Sequence, residues 1–492
     1  MVKLTLTRAP LRPAPDPPVT FVMLDADGAR ADALFAAMDA GHLPALARLR
    51  AEGSAHTVTS VFPSVTGPAY TPFLMGLHPG RAGVPGIRWW DRARTATRWP
   101  SFSRSYVGPE ALRADRDLTS EHRTLFEYVD RPLGAFTPHG RGLAPRQRIG
   151  ASLLYGVRMG WTHFRGDVPG WLRLDRELSA RVVARVREEH PDVVFLAHLG
   201  IDKLSHQMGH DAPPVLDAMR AVDQTAAQLR EDAERAGRWQ ETEIWVVSDH
   251  GHSPVRHHED LAGLLAGWGL GVIAHPWVLT GGRDAAVMVS GNAMAHVYLE
   301  LARRERPFWP ALRGRWQWLV DRLLERASVD LLMLPRAIGE VEVHGRGRGM
   351  AIVSRDRRGR YAYRAESGDP LGLAAALPGS DALSGLTPEE AYDLTLGTDH
   401  PDSLVQILAL ADAPRSGELL LSAARDWDYR AKWEPIPHVS SHGALHREHM
   451  LVPLVMSRPA TGRPRRTVDV LPSALRAMGR GVPEGLDGIP FR

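Results

Sequence analysis

Three short runs, VTFVML at 19–24, VVFLAHL at 193–199 and IWVV at 244–247, are apolar almost without interruption. A strand with one wet face would alternate at every second residue, so these runs read as strands covered on both faces. Helices fill the intervals. One carries Pro44 in its first turn, Leu46 and Leu49 inward and Gly53 as a C′ stop. Another repeats Val215, Met219, Val222, Ala226 and Leu229 at spacings of four and three. The alternation predicts an α/β fold, doubly wound, with a mostly parallel central sheet flanked by helices.

The pattern changes after AHVYLEL at 295–301. A helix presents Trp316, Leu319, Val320, Leu323 and Leu324 on one face, and AIVSRDRRGRYAYR at 351–364 reads as a hairpin turning at Asp356 to Gly359. The expected organisation is a Pro-rich segment at 1–18, a core over 19–302, an inserted α+β cap subdomain over 303–430, and a return to the core over 431–492. HMLVPLVMS at 449–457 resumes the sheet, and Pro453, with no amide to donate, predicts an edge or bulged strand.

Ligands of doubly wound sheets bind beyond the carboxyl ends of the strands, so what each strand delivers there is informative. The first ends in LDADGAR, with Asp25 and Asp27; the second runs into GIDKLSH, with Asp202 and His206; the third ends in SDHGH, with Asp249 and His250. Far downstream, SSHGALHREH sets His442 against Gly443. Taken singly, each has a plain reading as a helix cap, an ion pair or a turn. Their joint occurrence at three strand ends and one Gly-backed loop argues for convergence. Asp and neutral His are donors that suit Zn2+, or Mn2+ and Fe2+. Six of them exceed the needs of one open site; two metals about 3.5–4 Å apart suit in-line displacement at phosphorus.

Composition narrows the field. At 492 residues the chain exceeds one ordinary core, and the absence of cysteine excludes disulfides, thiolate zinc sites and thiol catalysis. Sixty basic against 57 acidic residues, a balance of +3, give no strong pull toward nucleic acid or an anionic membrane. Lysine occurs only at Lys3, Lys203 and Lys432, an arginine bias of the kind a GC-rich bacterial genome gives. The amino end has no apolar signal region, and no run of about 18 apolar residues occurs, so a soluble, cytoplasmic chain is expected.

The order of DGAR (27–30), PSVTGP (63–68), DKLSH (202–206), SDHG (248–251) and a late HG (442–443) resembles the alkaline phosphatase superfamily, in its type I phosphodiesterase and nucleotide pyrophosphatase branch. The resemblance spans about 19–300 and 435–490. It implies that Asp202, His206 and His442 hold one zinc, and that Asp27, Asp249, His250 and the Thr66 hydroxyl hold the other. Asp25 is left as a turn or supporting residue, because the family's carboxylate directly precedes the glycine. His252, His257, His258, His446 and His449 match no family role and read as solvated or supporting. Two departures stand out: the family's asparagine falls on Ile87, leaving Arg88 as a substitute donor, and its glycine before the DxxxH histidine is Ser205.

The implied activity is two-metal hydrolysis of phosphate esters, first of phosphodiesters or nucleotide pyrophosphates, through a phosphothreonine on Thr66. Phosphomonoester or phosphonate hydrolysis is the near alternative, and a decayed metal-binding protein the distant one. A small phosphate ester is the expected partner, without nucleic acid. GIRWWDRARTATRW at 86–99 has some look of a nucleic-acid surface, but Arg88, Trp89 and Trp90 follow the nucleophile so closely that a pocket wall is the simpler reading.

Within VFPSVTGPAYTPFLMG (61–76), Ser64 stands too early and Thr71 inside the helix, whereas Thr66 stands where the helix begins. Gly67 offers no obstruction to a phosphoryl group, and the amides of Gly67, Ala69 and Tyr70 are expected to face its oxygens. Pro72 is expected to kink or shorten the helix.

Overall fold

The computed structural model describes residues 20–94, 102–106, 109–275, 284–376, 382–430 and 438–492. The Pro-rich segment and part of the 86–110 loop therefore lie outside the described residues.

The apolar runs lie at the centre of a seven-stranded sheet. In chain order its strands are β1 (Thr20–Ala26), β2 (Ser54–Thr59), β3 (Pro132–Ala135), β4 (Arg148–Ile149), β5 (Val193–His198), β6 (Thr242–Val247) and β7 (Leu451–Met456); across the sheet they run β2-β7-β6-β1-β5-β3-β4. β1, β5 and β6 are buried at every residue, which is why they carry no alternation. Pairing is parallel from β6 through β4, and β7 alone runs against its neighbours.

β7 is interior, not the edge strand that Pro453 led us to expect. The Ser457 amide donates to the Ile244 carbonyl, so by the period of two the Pro453 nitrogen also faces β6. Pairing on that side begins only at Leu454, opposite Val247, so the missing donor falls past the end of β6 and no ladder bond is lost.

Helix Pro44–Glu52 ends at Gly53, but not in the left-handed conformation that a C′ glycine implies, since φ is −117°. The glycine is needed for close approach: a Cβ there would come within 2.0 Å of the Met456 carbonyl oxygen. Helix Pro213–Arg235 buries Val215, Met219, Val222, Ala226 and Leu229, as its spacing requires.

A second, nine-stranded sheet is antiparallel except where Val272–Ala274 pairs with Ala285–Ser290. It includes the hairpin of Gly349–Arg355 with Tyr361–Gly368, turning at Asp356 to Gly359. Helix Trp309–Leu324 buries Trp316, Leu319, Val320 and Leu323. This sheet draws strands from both sides of residue 302, because Met294–Leu299 pairs with Leu419–Ala423. Phe62 joins the core beneath the second sheet, and Tyr70 and Phe73 join that of the first, so the segment around Thr66 bridges the two. Among the described residues no helix is long and apolar enough to cross a membrane.

Gly53→Ala is expected to cost about 1–3 kcal/mol, because its methyl must displace strand backbone instead of a flexible side chain. Urea denaturation of the two proteins measures it, and equal midpoints would contradict the close approach of the helix to β7.

Candidate active site and metal centre

Asp25 stands level with Ala197 on β5 and Val247 on β6. Two residues beyond that level, Asp27 and Asp249 leave adjacent strands side by side, and the Gly28 amide donates to Asp249 Oδ1 at 3.2 Å. Asp202 and His206 lie one turn apart on helix Gly200–Met208, directly after β5, with His206 Nε2 3.1 Å from Asp202 Oδ1. His442 comes from a different quarter. The pair Ser440–Ser441 lies antiparallel to Ser253–His258 and delivers the next residue, His442, 3.3 Å from Asp202 Oδ1 and 3.2 Å from His206 Nε2.

Thr66 is the only residue from Val61 to Gly80 that is not buried. Its Oγ1 lies 3.2 Å from Asp27 Oδ1 and 3.1 Å from His250 Nε2. The other two hydroxyls of the segment are committed to backbone: Ser64 donates to the Ala444 carbonyl, and Thr71 to those of Pro68 and Leu77. Gly67 holds φ at +91°, and Pro68–Tyr70 form a single tight turn before helix Thr71–Met75. Pro72 sits in the first turn of that helix, where an amide would have no partner, so it opens the helix instead of kinking it. Of the three amides expected to face a ligand, two are used internally, Ala69 bonding the Val65 carbonyl and Tyr70 that of Gly67. Only the Gly67 amide makes no hydrogen bond to a described residue.

The electrostatics call for cations. Three overlapping groups have donor atoms within 4.8 Å of one another: Asp202, His206, His252 and His442; Asp27, Asp202 and His250; and Asp25, Asp27 and Asp249. All four aspartates are fully buried, and both oxygens of Asp25 and Oδ2 of Asp249 have no hydrogen-bond donor among the described residues. Burial, then repulsion from Asp202, raises Asp27 to about 8. Burial, then repulsion from Asp27, raises Asp25 and Asp249 well above the carboxylate range. Burial acts the same way on Asp202, but the Lys203 ammonium, 2.6 Å away, and the His206 imidazole hold it well below that range. The imidazoles point the same way. His206, His442 and His250 each set Nδ1 against a backbone carbonyl, of Ser440, Ser64 and Gly251. An Nδ1–H donated to carbonyl leaves the Nε2 lone pair for a metal. The donor set and its unneutralised charge thus fit divalent metal ions.

Several sequence expectations change. Asp25 is no turn residue: it lies on β1 and belongs to the third group. His252 is buried, with Nε2 2.8 Å from Asp202 Oδ1, and stands as a third imidazole in the first group. The HxH spacing of SDHGH was the available signal. His446 and His449 are also buried; His449 joins Ser253 Oγ to the Ala444 amide and so ties the His442 loop to the strand after His250. His257 and His258 are exposed, as expected. His438, which had no motif to flag it, stacks on His206 with ring centres 4.2 Å apart. The Arg88 guanidinium adds to the downward shift of the His275 imidazole, whose main cause is burial. Trp89 and Trp90 are buried. Trp89 packs edge-on against Tyr106, which with Pro138 flanks Gly67, while His139 Nε2 meets the Gly67 carbonyl at 3.1 Å.

Because Asp27 binds a proton more tightly folded than unfolded, its contribution to stability is present below about pH 4 and is lost as pH rises toward 8. Metal reverses the sign, since only ionised carboxylates bind it. The chelator-stripped protein should therefore lose melting temperature between pH 5.5 and 8.5 relative to Asp27→Asn, while the shift produced by added Zn2+ or Mn2+ grows over the same range. A stripped protein that gains stability over Asp27→Asn as pH rises would contradict the buried carboxylate cluster.

No curated protein matches the sequence. Solved structures do match in fold. Phosphonoacetate hydrolase from Sinorhizobium meliloti 1021, in complex with phosphonoformate, is similar at 16% identity and a TM-score of 0.55, over 94% of this chain and 96% of that one. Murine ectonucleotide pyrophosphatase/phosphodiesterase 5 is similar at 13% identity and 0.54, over 96% and 97%; the human protein, at 12% and 0.53, over 95% and 97%. At such identities these likenesses establish the fold, alkaline-phosphatase-like. The profile described as type I phosphodiesterase / nucleotide pyrophosphatase matches residues 21–445. The chain is therefore a member of the type I phosphodiesterase and nucleotide pyrophosphatase family.

Proposed function

We propose that this protein is a two-metal hydrolase of phosphate esters, first of phosphodiesters or nucleotide pyrophosphates, acting through a phosphothreonine on Thr66. The observation that carries this reading is the Thr66 hydroxyl, half-exposed at the edge of a buried acid and imidazole cluster and within 3.2 Å of Asp27 and His250. Asp202, His206 and His442 would hold one divalent ion, and Asp27, Asp249, His250 and Thr66 the other, with Zn2+ the first choice and Mn2+ or Fe2+ next. Such ions supply a lowered pKa for the threonine hydroxyl and charge compensation at phosphorus and at the departing oxygen.

The chain's own groups do the rest. Thr66 gives up its proton to solvent, and Oγ1 forms a bond to phosphorus as the bond to the leaving oxygen breaks. The leaving group regains a proton from solvent. The Gly67 amide donates to a phosphoryl oxygen, an approach that the absent side chain leaves open. Water then attacks the phosphothreonine, cleaving the Oγ–P bond and restoring the hydroxyl. Phosphonate or monoester hydrolysis is the second reading, favoured by Ile87, which offers no donor where nucleotide pyrophosphatases have asparagine.

Thr66→Ala should lower turnover by about 10³-fold or more while elemental analysis finds the metal content unchanged. A rate within about tenfold of the parent would overturn the nucleophile. Turnover of a p-nitrophenyl phosphodiester should exceed that of the monoester, of phosphonoacetate and of the sulfate ester; the reverse order would favour the second reading.

A further inference from the structure

Helix Leu153–Phe164 is built backwards for a helix of a soluble core. Thr162 is its only buried residue, whereas Leu153, Leu154, Val157, Trp161 and Phe164 are between 62% and 81% exposed. At about 100° per residue these five fall within a single arc of about 100°. Tyr155 and Met159, on the opposite side, pack against the core. Exposed apolar residues scattered singly need no explanation, but five along one helical stripe do. At these exposures they project from the surface.

Six arginines lie between residues 131 and 166. Arg131, Arg141, Arg148 and Arg158 pair with Asp192, Glu127, Asp115 and Glu177, whereas Arg146 and Arg165 are exposed with no ion pair among the described residues. Arg165 flanks the stripe and lies over the Trp161 ring at 5.5 Å. The helix also adjoins the catalytic cluster: His163 feels the charges of Lys203, His206 and Asp202, and Gly166 faces Gln207. Met208, the next residue, is exposed as well.

We propose that helix Leu153–Phe164 is an interfacial helix that seats the protein on an anionic lipid bilayer, with its active site beside the membrane surface. A convex stripe of Leu, Val, Trp and Phe bordered by arginine suits the boundary between headgroups and acyl chains. A soft bilayer accepts a ridge without a complementary groove, whereas a folded partner must supply one. The helix lies on the surface and does not span, in keeping with the absence of a spanning helix among the described residues.

Sedimentation of the full chain with phosphatidylcholine vesicles, with and without phosphatidylglycerol, tests this. Binding should require the anionic lipid and weaken with salt. It should fall at least about fivefold in Leu154→Glu/Val157→Glu and in Arg146→Glu/Arg165→Glu, with melting temperature and turnover of a soluble diester unchanged. Equal binding by parent and variants, or none by the parent, would overturn the proposal. So would a parent dimer in light scattering that Leu154→Glu/Val157→Glu converts to monomer, since the stripe would then face a second copy. The absence of soluble-diester turnover in a parent that still binds vesicles would strike at the catalytic reading alone and support this one.

Discussion

Four carboxylates, of Asp25, Asp27, Asp202 and Asp249, share one fully buried patch with the ammonium of Lys203. Unpaired ions in a protein interior cost several kcal/mol each, on the order of a whole domain's net stability when summed. The fold tolerates this only because the patch is built to be neutralised. Tyr70 donates to Asp27 Oδ2 at 2.6 Å, the Gly28 amide donates to Asp249, and three imidazoles are fixed by carbonyls with Nε2 turned inward. What remains is negative charge that protein groups do not cancel, and divalent ions answer it. A protein made only for stability would have placed apolar side chains there.

The same requirement explains the architecture. Parallel strands in register send their last residues to a common level, so Asp27, Asp249 and the helix bearing Asp202 arrive together without long loops. His206 and His250 arrive with them, and one further imidazole comes from outside that level. His442 is carried by a short strand laid against Ser253–His258, and the Thr66 turn is clamped between two cores. Each clamp restricts a side chain that touches the cluster, and a nucleophile held by rigid neighbours loses less entropy on reaction.

Much of this was legible in the sequence because it rests on periodicity. Unbroken apolar runs identified β1, β5 and β6, and the i, i+4 spacing of Asp202 and His206 placed both on one helical face. Helix-start reasoning put Thr71 inside the helix, whereas a tight turn at Pro68–Tyr70 comes first and the helix opens at Thr71 itself. What the sequence hid depended on partners distant along the chain. His252 became a neighbour of Asp202 through the path of the strand after Gly251, and His438 reached His206 with no local pattern to mark it. Pro453 was misread because its neighbour's length, not its own strand, decided whether a donor was missed. The tight turn at Pro68–Tyr70 consumed amides that a full helix start would have left open.

That loss of amides bears on how the site would handle phosphate. A phosphoryl group entering the site brings negative charge to a patch already short of positive charge. Helix-start amides often share that load, but of the three at this turn Gly67 alone has an open one, and the Ile87 side chain offers no donor. Stabilisation of a phosphorane-like charge distribution must then fall on bound cations, with Lys203 at their edge. Its side chain keeps 24% exposure while pairing with Asp202, so it faces both the cluster and the solvent side from which a substrate arrives. A site of this composition would bind substrate and transition state through the same cations. Substrate selection would then reside in groups outside the cluster.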